Sequence, residues 1–342
     1  MKTRFGQQPV KEKNAFSGRT SRCFCYTVTI TNEIVYPIEG SPHMKAYLKA
    51  LRAPFLAGSI VPVIIGSAFA FATEAFSFST FLMSVLGVAA LHLGANLLND
   101  YHDARGSDPI NVRLTPFSGG SRVIQDKEIA PWVIMFMSII FFALGLCIGL
   151  WFVSVGRPFV IIIGLLGLFC GWAYSSPPFQ FMSRGWGEAV IFFAFGPFIT
   201  LGAHYVMAGS LSLKAFVLGF PQGFLIAAVI WINQFPDYIA DKDAGKKNLV
   251  VRLGPNISRY LYCLIMLLAF IAVIFLVVAG LPYLSMVAFI CFPLAFKAMK
   301  IAWREYLSHT GIIPAQALTI QTVIAQGLLI SLGLFLSRFI DV

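Results

Sequence analysis

The stretch "FSTFLMSVLGVAALHLGANLLNDYHDARGSD", residues 78–108, decides the fold. It opens with about twenty almost uninterrupted apolar residues, enough to cross a hydrocarbon layer as a helix at about 1.5 Å per residue. It then closes on three aspartates, Asp100, Asp103 and Asp108. Comparable apolar runs recur near 54–74, 131–152, 157–174, 187–207, 213–233, 258–278, 281–299 and 319–337. The chain is 58% hydrophobic and only 12% charged, far more apolar than a soluble mixture. The pattern predicts an all-α, multi-pass transmembrane helical bundle of about nine helices, and an integral membrane protein.

The net charge of +10 does not point to nucleic acid, because the basic residues are spread through short loops rather than gathered into one patch. With a cytoplasmic N-terminus, Arg105, Arg113, Arg122, Lys127, Arg184, Lys242, Lys246, Lys247, Arg252, Lys297, Lys300 and Arg304 all fall on cytoplasmic loops. The opposite loops hold little beyond Arg157 and Lys214, so the positive-inside bias predicts an odd number of spans and an outer C-terminus. The cell inner (cytoplasmic) membrane is the expected location. Cys147, Cys170, Cys263 and Cys291 stand singly in apolar runs, as small hydrophobes do, and Cys23 and Cys25 lack partner ligands.

Residues 1–43 are polar and basic, lack an apolar core long enough for a signal, and precede Met44. They are expected to form a poorly ordered polar extension ahead of one transmembrane domain at 44–342.

Of fifteen acidic residues, six fall in two windows: Asp100, Asp103 and Asp108, then Asp237, Asp241 and Asp243. A carboxylate in lipid costs about 2.5–3.5 kcal/mol on insertion scales, and helix C-termini disfavour it further. A bound cation would offset both. The second window, "NQFPDYIADKDAG" at 233–245, repeats the first: Asn96 and Asp100 are four apart, as are Asn233 and Asp237, and Tyr101 and Tyr238 follow the aspartates. One-turn spacing puts amide and carboxylate on the same helix face, with Asp241 a further turn on and Asp103 nearly so. Hard oxygens from two facing helix ends suit Mg²⁺ bridging to a diphosphate.

At these residues the sequence resembles the UbiA superfamily of intramembrane aromatic prenyltransferases, and most resembles its 1,4-dihydroxy-2-naphthoate polyprenyltransferase (menaquinone) branch. "LRAPFLAGSIVPVIIGSAFA" (51–70), "YSSPPFQFMSRGWGEAVIFFAFGP" (174–197) and "DKDAGKKNLVVRLG" (241–254) carry the likeness through most of the chain from Met44. Three departures stand out: alanine at position 104 with Asp103 one place early, Glu188 where many relatives have aspartate, and "FSGGSRVI" at 117–124. The resemblance implies Mg²⁺ held by Asp100, Asp103, Asp237 and Asp241, with Asn96 and Asn233 orienting ligands or waters. It implies diphosphate contacts from Arg52, Arg122, Arg184 and Lys242, and aromatic walls from Tyr101, Tyr174, Tyr238 and Trp172 that stabilise an allylic cation. The expected partners are the lipid bilayer, a polyprenyl diphosphate and an aromatic acceptor, with the site on the cytoplasmic side. The acceptor is 1,4-dihydroxy-2-naphthoate or, as the alternative, 4-hydroxybenzoate. Asp103, Glu188 and His102 remain open as the base, while His92, His204 and His309 are left outside the mechanism.

Two other classes fit parts of the pattern. A secondary transporter also places polar residues within a bundle and uses internal repeats, but these aspartates lie at helix ends. A CDP-alcohol phosphotransferase would explain an echo in "DARGSD", but not a distant second copy of the motif.

Overall fold

A computed structural model of the chain describes residues 44–73 and 75–340. The expectation for residues 1–43 lies outside the described residues. A short helix, α1 (Met44–Leu51), leads into α2 (Ala57–Ala72) through a turn in which Arg52 adopts a left-handed conformation, φ 50°. There follow α3 (Phe78–Asp103), α4 (Pro131–Ser154), α5 (Val160–Ser175), α6 (Gly187–Ala208), α7 (Leu213–Asp243), α8 (Leu249–Val278), α9 (Tyr283–Glu305) and α10 (Ile313–Ser337). Eight segments, counting α1 and α2 as one, are long and apolar enough to span a membrane, and α5 is a shorter apolar helix of 16 residues. The described residues form an all-helical, multi-pass bundle.

Local chemistry explains the starts and bends. Ser77, Ser212 and Asn248 cap α3, α7 and α8 by accepting hydrogen bonds from Thr80, Ala215 and Val251 amides. Pro131 opens α4 at the first turn, where its missing N–H leaves no orphan. A π-turn at Ala194–Phe198, containing Pro197, interrupts α6, and Gly254–Pro255 kinks α8. The Asn248 cap explains why α8 begins nine residues before its apolar run. Likewise α3 and α7 stay helical to their last aspartates, beyond the apolar boundaries at 99 and 233, so the acidic motifs ride on rigid helix ends.

Lipid supplies no hydrophobic drive between helices, so they associate through close packing and buried hydrogen bonds. Gly66 of α2 sits where a Cβ would lie 2.4 Å from the Thr200 carbonyl of α6, and Gly196 meets the Gly219 backbone of α7 equally closely. Tyr262 and Thr319 join α8 to α10 at 2.6 Å, and Ser138 of α4 donates to the Gly94 carbonyl of α3 at 2.8 Å. The main core gathers Ile191, Leu225, Trp231, Tyr262, Met266 and Val323 from α6, α7, α8 and α10. Outward residues such as Trp132, Phe136, Ile139 and Phe275 remain exposed, as a lipid-facing surface requires. Because α3 packs on α4 and α5 while α7 packs on α6, α8 and α10, the acidic ends of α3 and α7 border one interior space.

Candidate active site

The interior space is a cavity of about 370 Å³. Its mouth is polar, with Arg52, Asn96, Asn99, Asp103, Asp108 and Asn111 on one side and Asn233, Gln234, Asp237, Asp241, Lys246 and Asn248 on the other. Beyond the mouth the wall is apolar, running through Leu91, Ala95, Phe195, Ile199 and Ile230 to Met83 and Phe152. A small charged head and a long hydrocarbon tail are the shape and chemistry this space accepts.

The two acidic windows meet here. Lys246 Nζ lies 2.9 Å from Asp103 Oδ1 and 3.4 Å from Asp241 Oδ1, bridging the end of α3 to the end of α7. Asp103 also accepts from Asn99 at 3.1 Å, and Asp241 accepts from Asn248 at 2.8 Å. The segment between α3 and α4 folds across the mouth. Its Asn111 donates to Asp237 Oδ1 at 2.7 Å, and Asn233 donates to its Phe117 carbonyl at 3.0 Å. Arg113 and His309 fasten the same segment to the 307–309 turn, donating to the Leu307 carbonyl and bonding the Leu114 carbonyl.

The cluster is short of positive charge. Asp100, Asp103, Asp108, Asp237 and Asp241 supply five carboxylates, against the cations of Arg52 and Lys246. Asp108 lies outside the spans; burial, then the charges of Asp103 and Asp100, push it up to about 7 against the pull of Lys246 and Arg52. Burial opposes the Lys246 charge, but Asp103 and Asp241 outweigh it and raise the ammonium above its ordinary range. Buried Asp100 Oδ2 has no hydrogen-bond partner. Among the described residues no three acidic, imidazole or thiol groups already enclose a metal position. An oxygen-rich rim around an opening, with surplus negative charge, fits Mg²⁺, which keeps waters and takes further ligands from a phosphate.

The sequence-predicted residues divide in two. Asn96, Asp103, Asn233, Asp237, Asp241, Arg52 and Tyr174 line the cavity. Asp100 does not: only 3% exposed, it stands one layer back, 3.8 Å from Arg52 Nη1 and accepting from the Ser121 amide at 3.3 Å. Tyr101, Tyr238 and Lys242 each follow an aspartate, and one residue turns a helix about 100°. Tyr101 therefore packs beside α1 and α4 with Arg105 over its ring, and Tyr238 packs on the α7–α8 core with exposed Lys242 over its ring. Arg122 turns to the Asp108 carbonyl, and Arg184 is exposed, its carbonyl taken by Arg252. Trp172 stacks edge-on against Phe179 on the outer surface, 38% exposed.

Asn99, Asp108, Asn111, Gln234, Lys246 and Asn248 border the cavity without having been singled out as site residues. Lys246 had a legible signal. Gly245, with φ 75°, terminates α7, and the Lys246 amide returns to the Asp241 carbonyl at 2.8 Å, as in a Schellman cap. That reversal aims Lys246, rather than Lys242, back at the aspartates.

With this geometry in place, comparison with known proteins is specific. A sequence model of the UbiA prenyltransferase family matches residues 59–310. A Mycobacterium tuberculosis protein named 1,4-dihydroxy-2-naphthoate octaprenyltransferase is 28% identical over 253 residues, covering 74% of this chain and 84% of that protein. The Escherichia coli protein of the same name is 28% identical over 304 residues, covering 86% and 96%. The structure of a UbiA homolog from Archaeoglobus fulgidus bound to DMAPP and Mg²⁺ superposes with a TM-score of 0.59 at 19% identity, over 82% of this chain and 98% of that one. That last likeness is one of fold.

Proposed function

The chain belongs to the UbiA prenyltransferase family, and from that premise we propose that it transfers a polyprenyl group from its diphosphate to 1,4-dihydroxy-2-naphthoate in a Mg²⁺-dependent reaction. The protein is an integral membrane aromatic prenyltransferase. One observation carries the finer reading: acids from both motifs converge, through Lys246, at the mouth of an apolar cavity. The dihydroxynaphthoate acceptor is supported by the names of the relatives and by the Asn-Asp-Tyr-His-Asp form of the first motif.

Asp103, Asp108, Asp237 and Asp241 would hold Mg²⁺, with Asp100 behind them. When bound, Mg²⁺ supplies electrostatic stabilisation for the charge that builds on the departing diphosphate. Arg52 and Lys246 grip the same diphosphate, arginine through its planar fork and lysine as a point charge. Asn96 Nδ2 is buried without a partner among the described residues, and would donate to a diphosphate oxygen. Asn233 is committed elsewhere: Gln316 donates to its Oδ1 at 3.0 Å while its Nδ2 holds Phe117, so it anchors the segment over the mouth. The Tyr174 ring offers an electron-rich face to the allylic cation left when the C–O bond breaks. The apolar wall excludes water that would capture that cation. The electron-rich ring of the acceptor then forms the new C–C bond in place of the broken C–O bond to diphosphate, and the attacked ring carbon regains aromaticity by losing the group it carried, a proton or its carboxylate as CO₂.

The site lies on the cytoplasmic face of the inner membrane in this reading, where the positive-inside bias puts the α3–α4 and α7–α8 loops. Carboxylates at helix ends favour diphosphate chemistry over the transporter alternative. The test is prenyl transfer by purified protein in nanodiscs with 1,4-dihydroxy-2-naphthoate and 4-hydroxybenzoate as competing acceptors, with chelator and then restored Mg²⁺. Prenylated naphthoquinol, lost on chelation and recovered on Mg²⁺ addition, is expected. Exclusive prenylation of 4-hydroxybenzoate would move the acceptor assignment, and vesicle uptake without product would replace the activity.

A further inference from the structure

Sequence reading leaves His92 outside the mechanism, but its ring stands in the cavity wall. It shares the α3 face of Asn96 and Asp100 at one- and two-turn spacing, about 12 Å along the axis from Asp100 toward the membrane interior. Its position is fixed on two sides. His92 Nδ1 is 2.9 Å from Ser59 Oγ on α2, and Phe195 of α6 meets the ring edge-to-face at 4.8 Å.

The hydrogen-bond pattern determines which nitrogen carries the proton. Ser59 has one hydroxyl proton, and it is donated to the Leu56 carbonyl at 3.0 Å. Ser59 Oγ therefore accepts from His92, and Nδ1 bears the hydrogen. Among the described residues no carboxylate is hydrogen-bonded to the ring to stabilise an imidazolium, so the ring is neutral and Nε2 presents a bare lone pair. No group among the described residues donates to that nitrogen. Below the acidic mouth the cavity is chiefly aliphatic and aromatic, with Ser59, Ser84 and His92 among its few polar side chains. A polyprenyl tail has no donor to offer there.

We propose that His92 Nε2 receives the hydrogen bond of a ring hydroxyl on the aromatic acceptor, with Ser59 setting the tautomer and Phe195 the ring angle. The spacing suits this arrangement. The eight-residue offset of His92 from Asp100, about 12 Å along α3, is comparable to the combined length of a diphosphate, the reacting carbon and an aromatic ring. The hydrogen bond also leaves more electron density on the hydroxyl oxygen, and so on the ring carbon that attacks. This inference rests on the aromatic-prenyltransferase reading and specifies how that activity selects a hydroxylated ring.

The test measures binding of 1,4-dihydroxy-2-naphthoate and its mono- and di-O-methyl ethers to the purified full-length protein, alongside Mg²⁺-dependent binding of a prenyl diphosphate. Wild type is expected to bind the parent at least ~10-fold more tightly than the ether that caps the recognised hydroxyl, since a site built for a hydroxyl rejects its absence. His92→Leu should lose ~10-fold or more for the parent and prefer it over that ether by less than about twofold, with donor affinity within about twofold of wild type. Ser59→Ala, which keeps the imidazole but frees the tautomer, should fall between them, and His92→Gln should recover part of the discrimination. These two variants serve as the test if His92→Leu does not fold. Undiminished hydroxyl preference in the His92 and Ser59 variants would overturn the proposal, as would a wild type without that preference. Intact, His92-dependent discrimination without any prenyl transfer would count instead against the proposed activity.

Discussion

Lys246 and Asp103 form an ion pair of 2.9 Å between residues 143 positions apart, and that pair closes one acidic motif onto the other. Lys246 also reaches Asp241 at 3.4 Å, so a single ammonium bridges both motifs while leaving the cluster short of positive charge. Removing one partner of a buried charge pair typically costs about 3–5 kcal/mol because the other charge is left uncompensated. Lys246→Met is therefore expected to lower the melting temperature in chelator, and Mg²⁺ should restore more stability to it than to wild type. Its kcat/KM for the prenyl diphosphate should fall by ~10²-fold or more, with Lys246→Arg retaining part of the activity. Thermal unfolding with and without Mg²⁺, and donor kinetics, check both parts.

If Asp108 helps to hold Mg²⁺ as proposed, metal affinity is expected to depend on pH. Burial, then the charges of Asp103 and Asp100, push the Asp108 carboxyl up from an ordinary value of 3.8 to about 7. Since the folded state holds that proton more tightly than the unfolded chain, this group withdraws stability as pH rises from about 4 to 7 without metal. Mg²⁺ requires the deprotonated form, so its affinity should weaken as pH falls through 7 and level off by about pH 8. Mg²⁺ titration at pH 6, 7 and 8 should show this, and Asp108→Asn should flatten the dependence.

Gly120 holds Asp108 in place by having no side chain. Its φ is 74°, and a Cβ would lie 2.3 Å from Asp108 Oδ2. Gly120→Ala should displace that carboxylate and weaken Mg²⁺ by ~10-fold or more while the bundle still folds, because the strain is confined to a loop. Calorimetric Mg²⁺ binding and circular dichroism separate the two effects.

Tyr101, Tyr238, Lys242 and Arg184 provide the opposite expectation, since none lines the cavity. Tyr101→Phe, Tyr238→Phe, Lys242→Ala and Arg184→Ala should each keep kcat/KM within about threefold of wild type, as surface or packing changes usually do. A steady-state assay of the four variants checks this.

The contrast between Lys242 and Lys246 shows how far the sequence could be read. Among the described residues apolar run length located the eight segments long enough to span and, at 157–174, the 16-residue α5, which is shorter than a full span. The repeated Asn-x₃-Asp spacing identified the two helix ends, because one turn of helix aligns side chains whatever the tertiary context. Which neighbour of an aspartate turns inward was harder to read. Tyr238 and Lys242 lie close in sequence but point elsewhere, whereas Lys246 returns through a cap whose sign was the glycine at 245. Asn111 and Asp108 sit on a segment of irregular backbone folded over the mouth. Periodicity says nothing about where such a segment lands. His92 carries no sequence signal of a role, because its tautomer is set by Ser59 and Leu56, far from it in the chain.

Whether the motifs of α3 and α7 act as one site is decided by a double-mutant cycle on prenyl transfer. Asp103→Asn and Asp237→Asn should each reduce kcat/KM at saturating Mg²⁺ by ~10²-fold or more, and the double variant should lose little beyond either alone, as members of one catalytic unit do. Losses that multiply, or near-wild-type turnover in either single variant, would contradict a single site.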